Sequence, residues 1–187
     1  MIDALIAKYG LIIVYLGCAL EGDTVAITSG LLAHHQLLPL WPTLAAAWAG
    51  GWTADVAIFL LARRYRDHPR VLRILAHPVS KGMARRFLGR PVLLASVFRF
   101  LPGMRTVTPV LLATGARLRP ALYLPITCLS ALVWAVAMVV IGHGIGTLVR
   151  RIWGHVDRTE LLLALPVLLV ALFAGHRLWR MRRDLEK

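Results

Sequence analysis

A chain of 187 residues that is 58% hydrophobic and 17% charged, with a mean hydropathy of +0.69, cannot cover its apolar atoms as a water-soluble domain, because a small domain has too much surface for its volume. The net charge of +13 does not point to nucleic acid, since the 22 Lys and Arg residues fall between apolar blocks and at the C-terminus, the pattern of cytoplasmic loops beside a bilayer. Cys18 and Cys128 each sit inside an apolar block and read as small buried hydrophobes, so neither a disulfide framework nor a metal or other cofactor is expected.

Residues 4–20 are expected to form a short membrane crossing, with Lys8 close enough to one end to snorkel. The N-terminus lacks the basic, apolar, small-residue order of a cleaved signal peptide, so this segment is expected to be retained. Residues 21–42 contain an apolar run bounded by Glu21-Gly22-Asp23 and by Pro39 and Pro42, a length that suits a re-entrant segment. Residues 43–62 form the next crossing, with Trp41, Trp48 and Trp52 as candidate interfacial anchors.

Residues 63–90 carry Arg63, Arg64, Arg66, Arg70, Arg73, Lys81, Arg85, Arg86 and Arg90 against the single acid Asp67. Val71, Leu72, Leu75 and Val79 recur at near-helical spacing, so a basic amphipathic connector on anionic headgroups is expected. Residues 91–118 hold a second re-entrant segment. Residues 120–148 and 160–178 are two further crossings, and 179–187 is a basic tail.

Charge distribution sets the topology. With 63–90 and the tail both cytoplasmic, an even number of crossings must separate them, and 120–148 with 160–178 supply two. Segment 91–118 must then enter and leave on the cytoplasmic side, whereas 21–42 dips in from the opposite face. Both termini are expected in the cytoplasm, although Arg150, Arg151 and Arg158 would then lie outside. The expected fold is an all-α membrane protein with spanning helices and two opposed re-entrant helical hairpins in an inverted-repeat arrangement, whose site forms where the broken helices meet.

The candidate site residues lie in these segments. Arg99 and Arg105 are six positions apart around Pro102-Gly103, and each charge near a bilayer centre costs at least about 2.5–3.5 kcal/mol. Pro102 removes a donor and Gly103 relaxes the backbone, so a helix break is expected there, with a fresh N-terminus suited to an anion. Arginine also suits bidentate phosphate recognition. Two readings stand side by side: a lipid-phosphate site, or an ion pair that fixes the hairpin. Glu21, Asp23 and Asp55 are the candidate counter-charges or proton carriers, Asp55 because a lone carboxylate inside an apolar block is costly. The run Gly142-His143-Gly144-Ile145-Gly146 has a small-xxx-small spacing typical of close helix packing. His143 reads as an interfacial side chain, and a pH-sensing role for His34-His35 is a weaker option.

The run Phe98-Arg99-Phe100-Leu101-Pro102-Gly103-Met104-Arg105, ending Ala113-Thr114-Gly115, resembles the signature of the DedA family, also called the SNARE-associated or VTT-domain proteins. Glu21-Gly22-Asp23 with Gly30, Gly50-Gly51-Trp52-Thr53-Ala54-Asp55 before Arg63-Arg64, and Trp134 before Gly142 agree with it in order, covering most of residues 9–146. The resemblance implies a lipid transporter or scramblase of the inner membrane, with bacterial members implicated in recycling undecaprenyl phosphate in a proton-coupled way. It places Arg99 and Arg105 on the essential arginines and Asp23 on the acid before the first re-entrant helix. Glu21 stands closer to Asp23 than the family's two acids usually do. Expected partners are membrane lipids (a polyprenyl phosphate or an anionic phospholipid) and protons, with a homo-oligomer left open, and no enzymatic activity or catalytic residue is expected. Two alternatives are a polyprenyl-diphosphate phosphatase, in which Met104 stands where the Pro-Gly-x-Ser-Arg motif of such enzymes has serine, and a proton-coupled exporter of small cations.

Overall fold

The computed structural model describes residues 2–77, 80–82, 84, 89–101, 104–116 and 118–153. The expected crossing 160–178, the tail 179–187 and the hinge residues Pro102 and Gly103 lie outside the described residues. Among those described the chain is all-helical, and no strand occurs.

Helix α1 spans Ile2–Leu20. It ends where Glu21 and Gly22 donate their N–H groups to the Gly17 carbonyl at 2.8 and 3.3 Å. Gly22 has φ 91°, a positive-φ conformation open to glycine and strained for other residues. Helix α2, Asp23–His34, then starts with an acid in its first turn, where the helix dipole favours negative charge. Helix α3, Leu40–Arg64, follows Pro39 in an extended conformation. It starts earlier than position 43 and so takes in Trp41 and Pro42, because proline fits the first turn of a helix without loss of a hydrogen bond.

Helix α4, Pro69–Ala76, has proline at its start and the His68 ring as its cap. Helix α5, Pro91–Val97, runs into a 3₁₀ turn, Phe98–Phe100. The backbone turns extended at Leu101 (φ −99°, ψ 113°), and helix α6, Met104–Thr114, follows. Helix α7, Pro120–Trp153, has 34 residues and continues past position 148.

Among the described residues two helices, Leu40–Arg64 and Pro120–Leu148, are long and apolar enough to cross a membrane. At a rise of about 1.5 Å per residue, α3 is about 37 Å long, whereas α2, α5 and α6 reach only about 18, 10 and 17 Å, well short of a hydrocarbon core of about 30 Å. Large apolar side chains such as Ile13, Leu129 and Val140 stand exposed on the outside, as they would against lipid.

Two apolar clusters hold the helices together. One joins Val14, Cys18, Ala26 and Ala47 to Trp134 and Val139. The other joins Phe59, Leu94, Val110 and Leu112 to Tyr123, with the Phe59 and Tyr123 rings stacked at 3.8 Å. Glycines set the close approaches between helices: a Cβ on Gly50 would collide with the Tyr15 carbonyl of α1, one on Gly30 with the Val139 carbonyl of α7, and one on Gly142 with the Ile27 carbonyl of α2. Trp48 is half-buried and donates its indole N–H to the Cys128 carbonyl at 3.0 Å, so it ties α3 to α7, and its ring stacks on Trp52. Trp41 is exposed at the start of α3. Helix α4 does not stand clear of the protein: Val71, Ile74 and Leu75 pack against the second cluster, while Leu72 faces outward.

Candidate functional site

On α3 the residues Ala47 and Phe59 belong to different apolar clusters, and Asp55 lies between them. It is fully buried. A carboxylate there must find partners, since an unpaired buried charge costs several kcal/mol. Arg99, carried by the 3₁₀ turn, donates from Nε to Asp55 Oδ2 at 2.6 Å. Arg105, in the first turn of α6, brings its Nε to 3.7 Å from Asp55 Oδ1. The interruption of the helix at Leu101 lets two arginines so close in sequence converge on one carboxylate, which a continuous helix would have pointed apart.

The guanidinium groups have further partners. Arg105 Nη2 donates to the Cys18 and Ala19 carbonyls at 2.6 and 3.0 Å. These are among the last carbonyls of α1, where a cation meets the negative end of the helix dipole. Arg99 lies 4.6 Å from the centroid of the Trp134 ring, within cation–π range. Trp134 in turn donates its indole N–H to Asp23 Oδ1 at 2.9 Å. The glycines Gly22 and Gly51 leave room for the guanidinium groups: a Cβ on Gly22 would strike Arg105 Nη1, and one on Gly51 would press on Arg99 Nη2 at 2.7 Å. The same two nitrogens, Arg105 Nη1 and Arg99 Nη2, are buried and have no hydrogen-bond partner.

Charge at the centre does not balance. Two guanidinium cations face one buried carboxylate, and Arg99 Nη2, Arg105 Nη1 and Asp55 Oδ1 are all buried without a hydrogen-bond partner. Such a centre has the charge and the donors to take up an anion.

The three expected acids therefore separate. Asp55 pairs with both arginines. Asp23 is exposed; its hydrogen bond goes to Trp134, and its charge acts on Arg105 without an ion-pair contact. Glu21 is exposed, and among the described residues its carboxylate enters no ion pair, because Gly22 turns the chain away at that point. Trp134, the α1 carbonyls and Gly51 are members of the site that a reading of charges and motifs did not single out. An indole in an apolar helix resembles any other core aromatic until its N–H partner, 111 positions away, is known. Trp134→Phe keeps an aromatic ring near Arg99 but removes the donor to Asp23 and part of the buried ring. It is expected to destabilise the protein by at least about 1.5 kcal/mol, the low end for a hydrogen bond to a charged group, as measured by denaturant titration in detergent.

No family model matches the chain, and no solved structure matches it. The chain is similar to the inner membrane protein YohD of Escherichia coli (strain K12), with 28% identity over 187 residues that take in 100% of this chain and 96% of that protein. The arginine centre thus belongs to a chain whose described residues are all-helical with two membrane-length helices among them, and which is similar from end to end to a bacterial inner membrane protein.

Proposed function

We propose that this protein is a DedA-type lipid transporter of the bacterial inner membrane that moves a phosphate-bearing lipid across the bilayer, with undecaprenyl phosphate as the preferred candidate, in a proton-coupled cycle and without enzymatic turnover. The observation that carries this reading is the unbalanced buried centre: Arg99 and Arg105 face the single carboxylate of Asp55 and keep an unsatisfied N–H-bearing nitrogen each. A phosphate group offers further acceptor oxygens and the second negative charge that one carboxylate does not supply to two guanidinium groups.

In this reading α2, and α5 with α6, enter the membrane from opposite faces and leave by the face they entered, since each helix is too short to cross. The whole chain makes several crossings, with both termini in the cytoplasm. With no lipid bound, Asp55 holds the arginines. An arriving lipid phosphate takes over their N–H groups, and Asp55, released from its partner in a low-dielectric setting, takes a proton. Departure of the lipid reverses the exchange. The swap between carboxylate and phosphate supplies the difference in affinity that a two-state carrier requires. Asp23 and Trp134 position Arg99 from the α2 side.

The test is translocation in liposomes containing the purified full-length protein, with labelled polyprenyl phosphate and labelled zwitterionic phospholipid compared. Wild type is expected to move the phosphate-bearing lipid faster than protein-free liposomes do, and Arg105→Ala to lose at least about tenfold of that rate, the loss of one charge-assisted contact of more than about 1.4 kcal/mol. An Arg105→Ala protein that transports like wild type sinks the proposal.

A further inference from the structure

Beside the arginine centre, α3, α4 and α6 enclose an open cavity of about 370 Å³, within the size range of small-molecule sites. Its lining is mostly hydrocarbon: Ile58 and Ala62 from α3, Val71 and Ile74 from α4, and Val110 beside Thr106 from α6. Tyr65, His68 and Arg70 also line it and are exposed, which makes them its polar rim. The Arg70 N–H donates to His68 Nδ1 at 3.3 Å, so the neutral ring carries its proton on Nε2. Arg70 is exposed and enters no ion pair among the described residues, although Asp67 is close in sequence. Arg66 and Arg73 flank the rim in sequence, and both are exposed.

We infer that this cavity is a binding site for an anionic phospholipid of the surrounding leaflet, with one acyl chain between α3, α4 and α6 and the headgroup phosphate on Arg70, His68 and Tyr65. Charge complementarity decides the occupant: hydrocarbon walls take a chain, and a cationic rim within a stretch that holds nine Lys or Arg residues and one acid takes a negative headgroup. The site is separate from the arginine centre and does not depend on the transport reading. Asp55, Ile58, Ala62 and Tyr65 follow one another at helical spacing along α3, so the rim lies about 15 Å along the helix from Asp55. A lipid held here braces α4 against α6, which carries Arg105.

The experiment uses the full-length protein in detergent, with phosphatidylglycerol and phosphatidylcholine as probes. Retained lipid is counted by native mass spectrometry, and a photoreactive acyl chain maps the contact. Wild type is expected to retain phosphatidylglycerol at about a tenth of the phosphatidylcholine concentration needed, and crosslinks are expected on α3, α4 and α6 at the cavity walls. Arg70→Gln, an exposed substitution, is expected to erase the tenfold preference while chain crosslinks persist. Ile74→Trp, which fills the cavity, is expected to remove the wall crosslinks of both lipids. Arg105→Ala is expected to keep the α3, α4 and α6 wall crosslinks, which separates this site from the arginine centre. An unchanged preference in Arg70→Gln, or crosslinks confined to the Phe98–Phe100 turn, overturns the inference. If Ile74→Trp does not fold, phosphatidylglycerol with truncated chains replaces it: equal retention of short and long chains also overturns the site.

Discussion

Arg99→Ala is expected to abolish lipid-phosphate translocation and to destabilise the protein by about 3–5 kcal/mol, the usual cost of removing one partner from a buried ion pair. Asp55 has 0% and Arg99 3% of its side chain exposed, so solvent cannot screen the carboxylate left behind. Arg105 at 3.7 Å offers partial compensation, and its own ties to the Cys18 and Ala19 carbonyls limit how far it can move. Adding Asp55→Asn to the same chain removes the orphaned charge. That double variant is expected to recover most of the lost stability and none of the transport. Stability is read by denaturant titration in detergent, transport by labelled-lipid flux. Recovery of both quantities would mean that Arg99 serves only to neutralise Asp55 and does not hold the lipid.

Gly142→Val and Gly144→Val form the second contrast. On α7 a Cβ at Gly142 would run into the Ile27 carbonyl and the Gly30 Cα of α2, whereas nothing lies within 4 Å of one at Gly144. Backbone atoms cannot swing aside as a side chain does, so α2 must be pushed away from α7. The expected cost at Gly142 is about 3 kcal/mol, the upper end for overpacking, while Gly144→Val is expected to stay within about 0.5 kcal/mol of wild type. Thermal unfolding followed by tryptophan fluorescence distinguishes them. Displacement of α2 also carries Asp23 away from Trp134, so translocation is expected to fall in Gly142→Val and to hold in Gly144→Val. Equal melting temperatures in the two variants would refute the close α2–α7 approach.

The glycine pair also illustrates what a sequence can and cannot disclose. The spacing of Gly142, Gly144 and Gly146 announces a helix face that something approaches closely. Which glycines face the partner depends on the rotation of α7 about its axis: Gly142 meets α2 backbone, Gly146 meets His34, and Gly144 meets nothing. Trp48 makes the same point. Its place near one end of an apolar block suggests an interfacial anchor, yet the earlier start of α3 at Leu40 puts it further into the helix, where its N–H finds the Cys128 carbonyl. The amphipathic pattern of Val71 and Leu75 is legible without coordinates, but whether that face meets lipid or protein is not, and here it packs on the cluster that includes Val110 and Tyr123.

Arg99 and Arg105 were conspicuous from composition alone, because the cost of a cation among apolar residues is a local property of the chain. So were the helical class, the boundary of an apolar run at Glu21-Gly22-Asp23 and the separation of the two arginines by a break. Those features depend on backbone preference and on transfer energies, which act residue by residue. The choice of partner does not. Glu21, Asp23 and Asp55 are equally acidic in the sequence, and only the crossing of α3 with the Phe98–Phe100 turn puts Asp55 within 2.6 Å of Arg99, leaves Asp23 on Trp134 and exposes Glu21. Burial sets how much an unpaired charge costs; the packing of helices from distant parts of the chain decides which group offsets it.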